Sequence, residues 1–202
     1  MIEADRSESP LTRERRRAKE AAAELLRAVK QSDRRLLLSA AAKLKDTVNG
    51  WGLALRAVSY LKTVPPESQL LFLDFWIEDG KTIRSEVGTG KTLLRALWVL
   101  LPRYCGQGLR LYRGDAFWNG KYGVSWTRSR EMAEAFAEPH PGTYNEISVS
   151  FPQGRAVVLV SDVPAEAIIS APCLLNVGGE EGEYIVDWRL LSHVEVTERA
   201  PH

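Results

Sequence analysis

The spacing of apolar positions divides this chain in two. Up to residue 101 they recur every three to four positions, and beyond Gly106 they alternate. The first regime marks amphipathic helices, the second half-buried strands. The run RERRRAKEAAAELLRAVK predicts a first helix, with Thr12 as its cap and Glu14 in the positive first turn. Residues 1–10 read as a disordered lead. The helix stripe is Ala18, Ala22, Leu25, Leu26 and Val29. Ser32 opens a second helix over 33–48, with Leu36, Leu37, Ala40, Ala41 and Leu44 on one face, stopped by Asn49-Gly50. A third covers 51–60, ahead of Pro65-Pro66. A fourth, over 67–77, is apolar nearly all round and is expected to be the buried member, ended by Asp79-Gly80. A fifth holds 92–101, stopped by Pro102.

In the second half, LRLYR predicts a strand that ends at Arg113-Gly114. DAFWNGK reads as a loop with Asn119-Gly120 at its tip, and a strand follows over 122–127. Ser129 caps a helix, SREMAEAFA, with Met132, Ala133, Phe136 and Ala137 on one face. Further strands are expected at 144–151, 155–161, 166–170, 183–188 and 190–197, with the loop NVGGEEG before the last two. The fold class is therefore α+β. A helical region, 1–104, is expected to pack with a split, mostly antiparallel sheet in 105–202.

Composition refines this picture little. Charge refines it more. Lys and Arg outnumber Asp and Glu by 20 to 13 in residues 1–110 and are outnumbered by 13 to 7 in residues 111–202. The opposite signs fit two units, and the overall balance of +1 disfavours a committed nucleic-acid binder. The arginines of the first helix read as a solvated surface. Cys105 and Cys173 are too few for a disulfide scaffold and read as core thiols. His140, His193 and His202 share no ligand spacing, so no metal site is expected. No apolar run is long enough to span a bilayer. The lack of an apolar leader reads most simply as a cytoplasmic protein, with secretion as an effector by a leaderless route the alternative. GTGKT at 88–92 invites a phosphate-loop reading, but Ser85 stands where that motif needs its first glycine and no strand precedes it. It is expected to join two helices.

Candidate chemistry gathers at strand ends. Arg113 before Gly114 offers planar donors for phosphate oxygens, while Gly114 would permit close approach of a ligand. The alternative for Arg113 is a salt bridge across the sheet. Ser125 and Thr127, two apart on a strand, would present both hydroxyls on one side and Trp126 on the other. Glu181 and Glu183 would likewise share a side, although an acidic turn is the plainer reading of the two alone.

Together these residues resemble the ADP-ribosyltransferase superfamily, in the arginine–serine–glutamate lineage of the clostridial and vertebrate mono-ADP-ribosyltransferases. The family's aromatic-Arg-Gly strand end has its likeness in Tyr112-Arg113-Gly114. Its serine strand has one in Ser125-Trp126-Thr127, with a tryptophan and a threonine where the family carries a small residue and a second serine. Its Glu-x-Glu before an apolar strand has one in Glu181-Gly182-Glu183. The resemblance spans about residues 109–197. It implies an NAD-binding region and transfer of ADP-ribose to an acceptor, with protein arginine favoured by Glu181 two residues before Glu183. It implies Arg113 on the phosphates or the adjoining ribose, with Gly114 and Thr127 beside it. Ser125 would fix Glu183, and Glu183 would face the charge that develops on the ribose. Glu181 would act on the acceptor. Trp118, Tyr122 or Phe136 would line or stack on nicotinamide, although Phe136 also suits the core. Helices ahead of the first strand are common in the bacterial toxin members, so a toxin role is one implication. Two other classes compete with the enzyme: a non-catalytic binding module of this fold, and a helical partner- or nucleic-acid-binding protein in which the strand motifs are coincidence.

Overall fold

The structure is a computed structural model that describes residues 9–138, 155–175 and 182–198. The chain divides into two compact units, one ending at Leu101 and one beginning at Pro102.

The first unit is helical: α1 (Pro10–Gln31), α2 (Arg34–Lys45), α3 (Gly50–Val58), α4 (Pro66–Val87) and α5 (Lys91–Leu100). Its core is built from Leu25, Leu44, Trp51, Leu55, Phe72, Trp76, Leu94 and Leu97, all buried. Trp51 stacks on Phe75 at 5.8 Å between ring centroids. The caps differ from expectation. Ser9, not Thr12, caps α1: its hydroxyl accepts from the Thr12 N–H at 3.2 Å, and Pro10 enters the first turn, where an N–H has no partner to lose. Ser32 ends α1 in the left-handed region, and Asp33 caps α2 by accepting from the Leu36 N–H at 2.9 Å.

α4 departs furthest from the sequence reading. It runs through Asp79-Gly80 to Val87, because the apolar stripe of Phe72, Trp76 and Ile83 continues across them and stays buried. That burial outweighs the roughly 1 kcal/mol by which glycine disfavours a helix interior. Nor is α4 buried all round, since Leu70 and Ile77 are exposed. The GTGKT stretch joins helices: Gly88 closes α4 with φ +69° and Gly90 stands before α5. One cap arrives from a distance. Asn49 makes no side-chain cap to α3, and Glu86 of α4 accepts from the Trp51 N–H at 2.8 Å. Burial pushes the Glu86 carboxyl above its ordinary value, against the hydrogen bonds from the Trp51 and Gly52 amides.

The second unit holds β1 (Leu109–Trp118), β2 (Ser125–Trp126), α6 (Arg130–Ala137), β3 (Arg155–Val163), β4 (Ile168–Ser170), β5 (Tyr184–Val186) and β6 (Glu195–Glu198). They form two antiparallel sheets, β1-β3-β6 and β2-β5-β4. The α+β class is therefore observed. Several boundaries move. β1 does not end at Arg113 but continues to Trp118, so Asp115 is a strand residue and not part of a loop. β2 is two residues long. Residues 188 and 190, expected in two separate strands, join 189 in a 3-10 turn anchored by buried Asp187, which accepts from Arg189 Nε at 2.8 Å and Nη2 at 2.6 Å. The strand expected at 144–151 lies outside the described residues. Cys105, expected in the core, is exposed, and the Cys173 side chain lies outside the described atoms. No helix among the described residues is long and apolar enough to cross a membrane.

The two faces of the β1-β3 pair carry different packing. Leu111, Val157, Leu159 and Val163 join Trp126, Ile168, Tyr184 and Val186 in one core. On the opposite face, Val158 and Val160 pack with Ala133 and Ala137 of α6.

A prediction concerns Glu24, a buried acid on α1. Its carboxylate accepts from Lys43 Nζ at 2.6 Å and from the Ser39 hydroxyl at 2.7 Å. The bond from Lys43 first, and then that from Ser39, hold this carboxyl below its ordinary value. A folded pKa below the unfolded one gives stability that is present above the unfolded pKa and is lost as pH falls through the folded one. Glu24→Gln is therefore expected to cost about 1 kcal/mol at neutral pH, and the gap to wild type should close in acid. Circular-dichroism melts from neutral pH down to about pH 3 measure this. A gap independent of pH would show that the charge of Glu24 contributes nothing.

Candidate functional site

The site stands where the two sheets meet. Tyr112 of β1 and Thr127 after β2 exchange two backbone hydrogen bonds, each 2.8 Å. Arg113 follows the first of these residues and Ser125 precedes the second by two. β2 then pairs antiparallel with β5, Ser125 opposite Ile185 and Trp126 opposite Tyr184. That register puts Glu183, just before β5, diagonally across from Ser125 and on the same face. The fully buried Trp126 ring fixes which way β2 faces, and its indole N–H donates to the Gly123 carbonyl at 3.1 Å.

The consequence is a chain of contacts. The Ser125 hydroxyl donates to Glu183 Oε1. Arg113 Nη1 donates to the Ser125 carbonyl at 3.0 Å, and Arg113 Nη2 to Asp115 Oδ2 at 3.3 Å. Ser125 and Glu183 are half-buried. Of the site residues expected from sequence, Arg113, Ser125 and Glu183 are thus brought together. Glu181 lies outside the described residues.

The others are used differently. Thr127 does not share a use with Ser125: it is buried, and its hydroxyl accepts from the Ser129 N–H at 3.1 Å in the turn that leads to α6. The Ser129 hydroxyl in turn accepts from the Met132 N–H at 3.1 Å, capping α6 as expected. Gly114 opens its free side to α6, not to a ligand. A Cβ there would lie 1.8 Å from the Ala133 carbonyl oxygen and 2.6 Å from the Ala137 nitrogen. Phe136, read as a core candidate, is 61% exposed, because α6 meets the sheet through its two alanines. Trp118 and Tyr122 pack against the main core, with Tyr122 tilted on Trp188 at 6.4 Å between centroids.

Two neighbours of Arg113 escaped the sequence reading. Asp115 could have been found, since residues two apart on a strand share a face, but Gly-Asp reads as a turn. Gly123 carried no signal, because its role depends on which side chain the other sheet brings against it.

Comparison of the chain with family models, with curated proteins and with solved structures finds no match. The chemistry of the site therefore rests on its geometry.

Gly114→Ala should force the backbone of α6 away from β1. Overpacking of this kind costs roughly 1–3 kcal/mol, and the neighbours here are helix backbone, which has no rotamer with which to yield. Chemical denaturation of the two proteins checks it. A variant as stable as wild type would mean that α6 is not seated on Gly114.

Proposed function

We propose that this chain is a mono-ADP-ribosyltransferase that uses NAD as donor and a protein arginine as acceptor. One observation carries the reading: the Ser125 hydroxyl donates to Glu183, with Arg113 bonded to the same serine. These three residues are 12 and 58 positions apart along the chain. The donor set suits a dinucleotide. A half-buried carboxylate oriented by a hydroxyl can accept from a ribose hydroxyl, and a guanidinium beside it suits phosphate oxygens.

NAD, when bound, supplies an N-glycosidic bond whose cleavage leaves positive charge on the ribose. Glu183 holds negative charge where it can face that centre, and this charge is preorganised by Ser125 at no cost during the reaction. Ser125 restricts the carboxylate to one orientation. Arg113 adds positive charge for the phosphates and fixes the serine backbone. Glu181, two residues before Glu183, takes the role of orienting and deprotonating the acceptor guanidinium, a poor nucleophile without such help. Phe136, exposed on α6, offers an aromatic face for stacking.

The test is NAD turnover by the full chain, with and without an arginine-rich acceptor protein. Glu183→Gln should reduce both hydrolysis and transfer by roughly 100-fold or more, with melting temperature retained. Glu181→Gln should lose transfer and keep most hydrolysis, since water needs no activated guanidinium. Equal losses of both activities in the two variants would overturn the division of roles. A folded wild type that never cleaves NAD would favour a non-catalytic binding module.

NAD should also raise the melting temperature of wild type, because a ligand of the folded state alone stabilises it by mass action. Arg113→Ala should shrink that shift. An equal shift in both proteins would remove Arg113 from the NAD contacts.

A further inference from the structure

Arg113 is held on three sides. Nη1 is bonded to the Ser125 carbonyl and Nη2 to Asp115. On the third side stands Gly123: a Cβ built there would lie 2.2 Å from the Arg113 guanidinium carbon, and 2.5 and 2.6 Å from its two terminal nitrogens. The guanidinium therefore occupies the space that any other residue at 123 would fill. The fit leaves Arg113 Nε buried with no hydrogen-bond partner. An unsatisfied buried donor is unfavourable, so the remaining contacts must hold the group in place. The Arg113 and Asp115 side chains are only 21% and 24% exposed, so water competes weakly for this ion pair.

We propose that Asp115 and Gly123 are positioning residues that seat Arg113. Seated, the guanidinium holds the carbonyl of Ser125 and, through that backbone, aims the Ser125 hydroxyl at Glu183. The catalytic consequence rests on the function proposed above, while the seat itself does not. Without its charge, Asp115 no longer neutralises the guanidinium, and Arg113 can exchange the Ser125 carbonyl for water. With a methyl at 123, the guanidinium cannot lie where it does. In both cases the loss falls on the orientation of Ser125 and Glu183. That orientation matters most as charge develops, so kcat should fall, and KM for NAD should rise only as far as the misplaced guanidinium loses the phosphates.

The experiment uses the full chain in five forms: wild type, Asp115→Asn, Gly123→Ala, Arg113→Ala and the Asp115→Asn/Arg113→Ala double variant. NAD hydrolysis is measured as kcat and KM, and the Arg113 side-chain N–H resonance, identified by its loss in Arg113→Ala, is followed by nitrogen-15 NMR. Asp115→Asn should lower kcat about 10-fold, with KM for NAD rising no further than in Arg113→Ala. It should cost nothing further in the Arg113→Ala background, because it acts through that arginine. Gly123→Ala should lower kcat at least as much. Both single variants should shift the Arg113 resonance. An unchanged kcat in Asp115→Asn, or losses that multiply in the double variant, would overturn the proposal. If wild type does not turn over NAD, the function fails while the resonance still tests the seat: a shift in Asp115→Asn supports it, and an unmoved resonance overturns it. Should Gly123→Ala not fold, the Asp115→Asn measurements decide alone.

Discussion

Two backbone hydrogen bonds, between Tyr112 and Thr127, hold the β-rich unit of this protein in order. They tie the strand that carries Arg113 to the short strand that carries Ser125. β2 has only two residues, too few to keep a register by its own ladder. Its place is set from three directions: the bridge to β1, the pairing with β5, and the burial of Trp126. A slip of one residue would turn Ser125 into the core and Trp126 out of it. The cost of exposing that indole protects the orientation of the serine.

The same economy governs β1, which is committed on both faces. One face lends Leu111 to the main core and sends Arg113 and Asp115 towards the site. The other face meets α6 so closely that residue 114 has no room for a side chain. An arginine on a strand packed in this way has little freedom. Its guanidinium is directed by the fold more than by its own rotamer preferences, the condition under which a charged group can be preorganised. Asp187 does similar service further along. It is buried, paired with Arg189, and bonded through its backbone N–H to the Ala167 carbonyl at 2.8 Å, which secures the C-terminal end of β5.

The helical unit answers its polar groups by tertiary means. Glu24 is buried, and is tolerated because Lys43 and Ser39 of α2 reach it. Glu86 caps a helix to which it does not belong. Each removes an otherwise unsatisfied group from the interior, and each ties two helices together at a defined height, which apolar packing alone specifies less sharply.

From sequence alone the class of the fold could be read, as could the succession of five helices and then strands, because hydrophobic period is a local property of the chain. The arginine, serine and glutamate of the site were legible for a related reason: each lies within a short pattern of its own, Tyr-Arg-Gly, Ser-Trp-Thr or Glu-Gly-Glu. Length, partner and exposure were not legible. α4 passes through Asp79-Gly80 because its stripe finds partners on other helices, which no local stop signal reveals. Phe136 is exposed because α6 approaches the sheet through Ala133 and Ala137, a choice made by the space over Gly114. Asp115 and Gly123 join the site only when β1 is extended and β2 is laid against it. Local chemistry named the groups that carry charge. What each group touches is a relation between segments far apart in the chain, and only tertiary packing decided it.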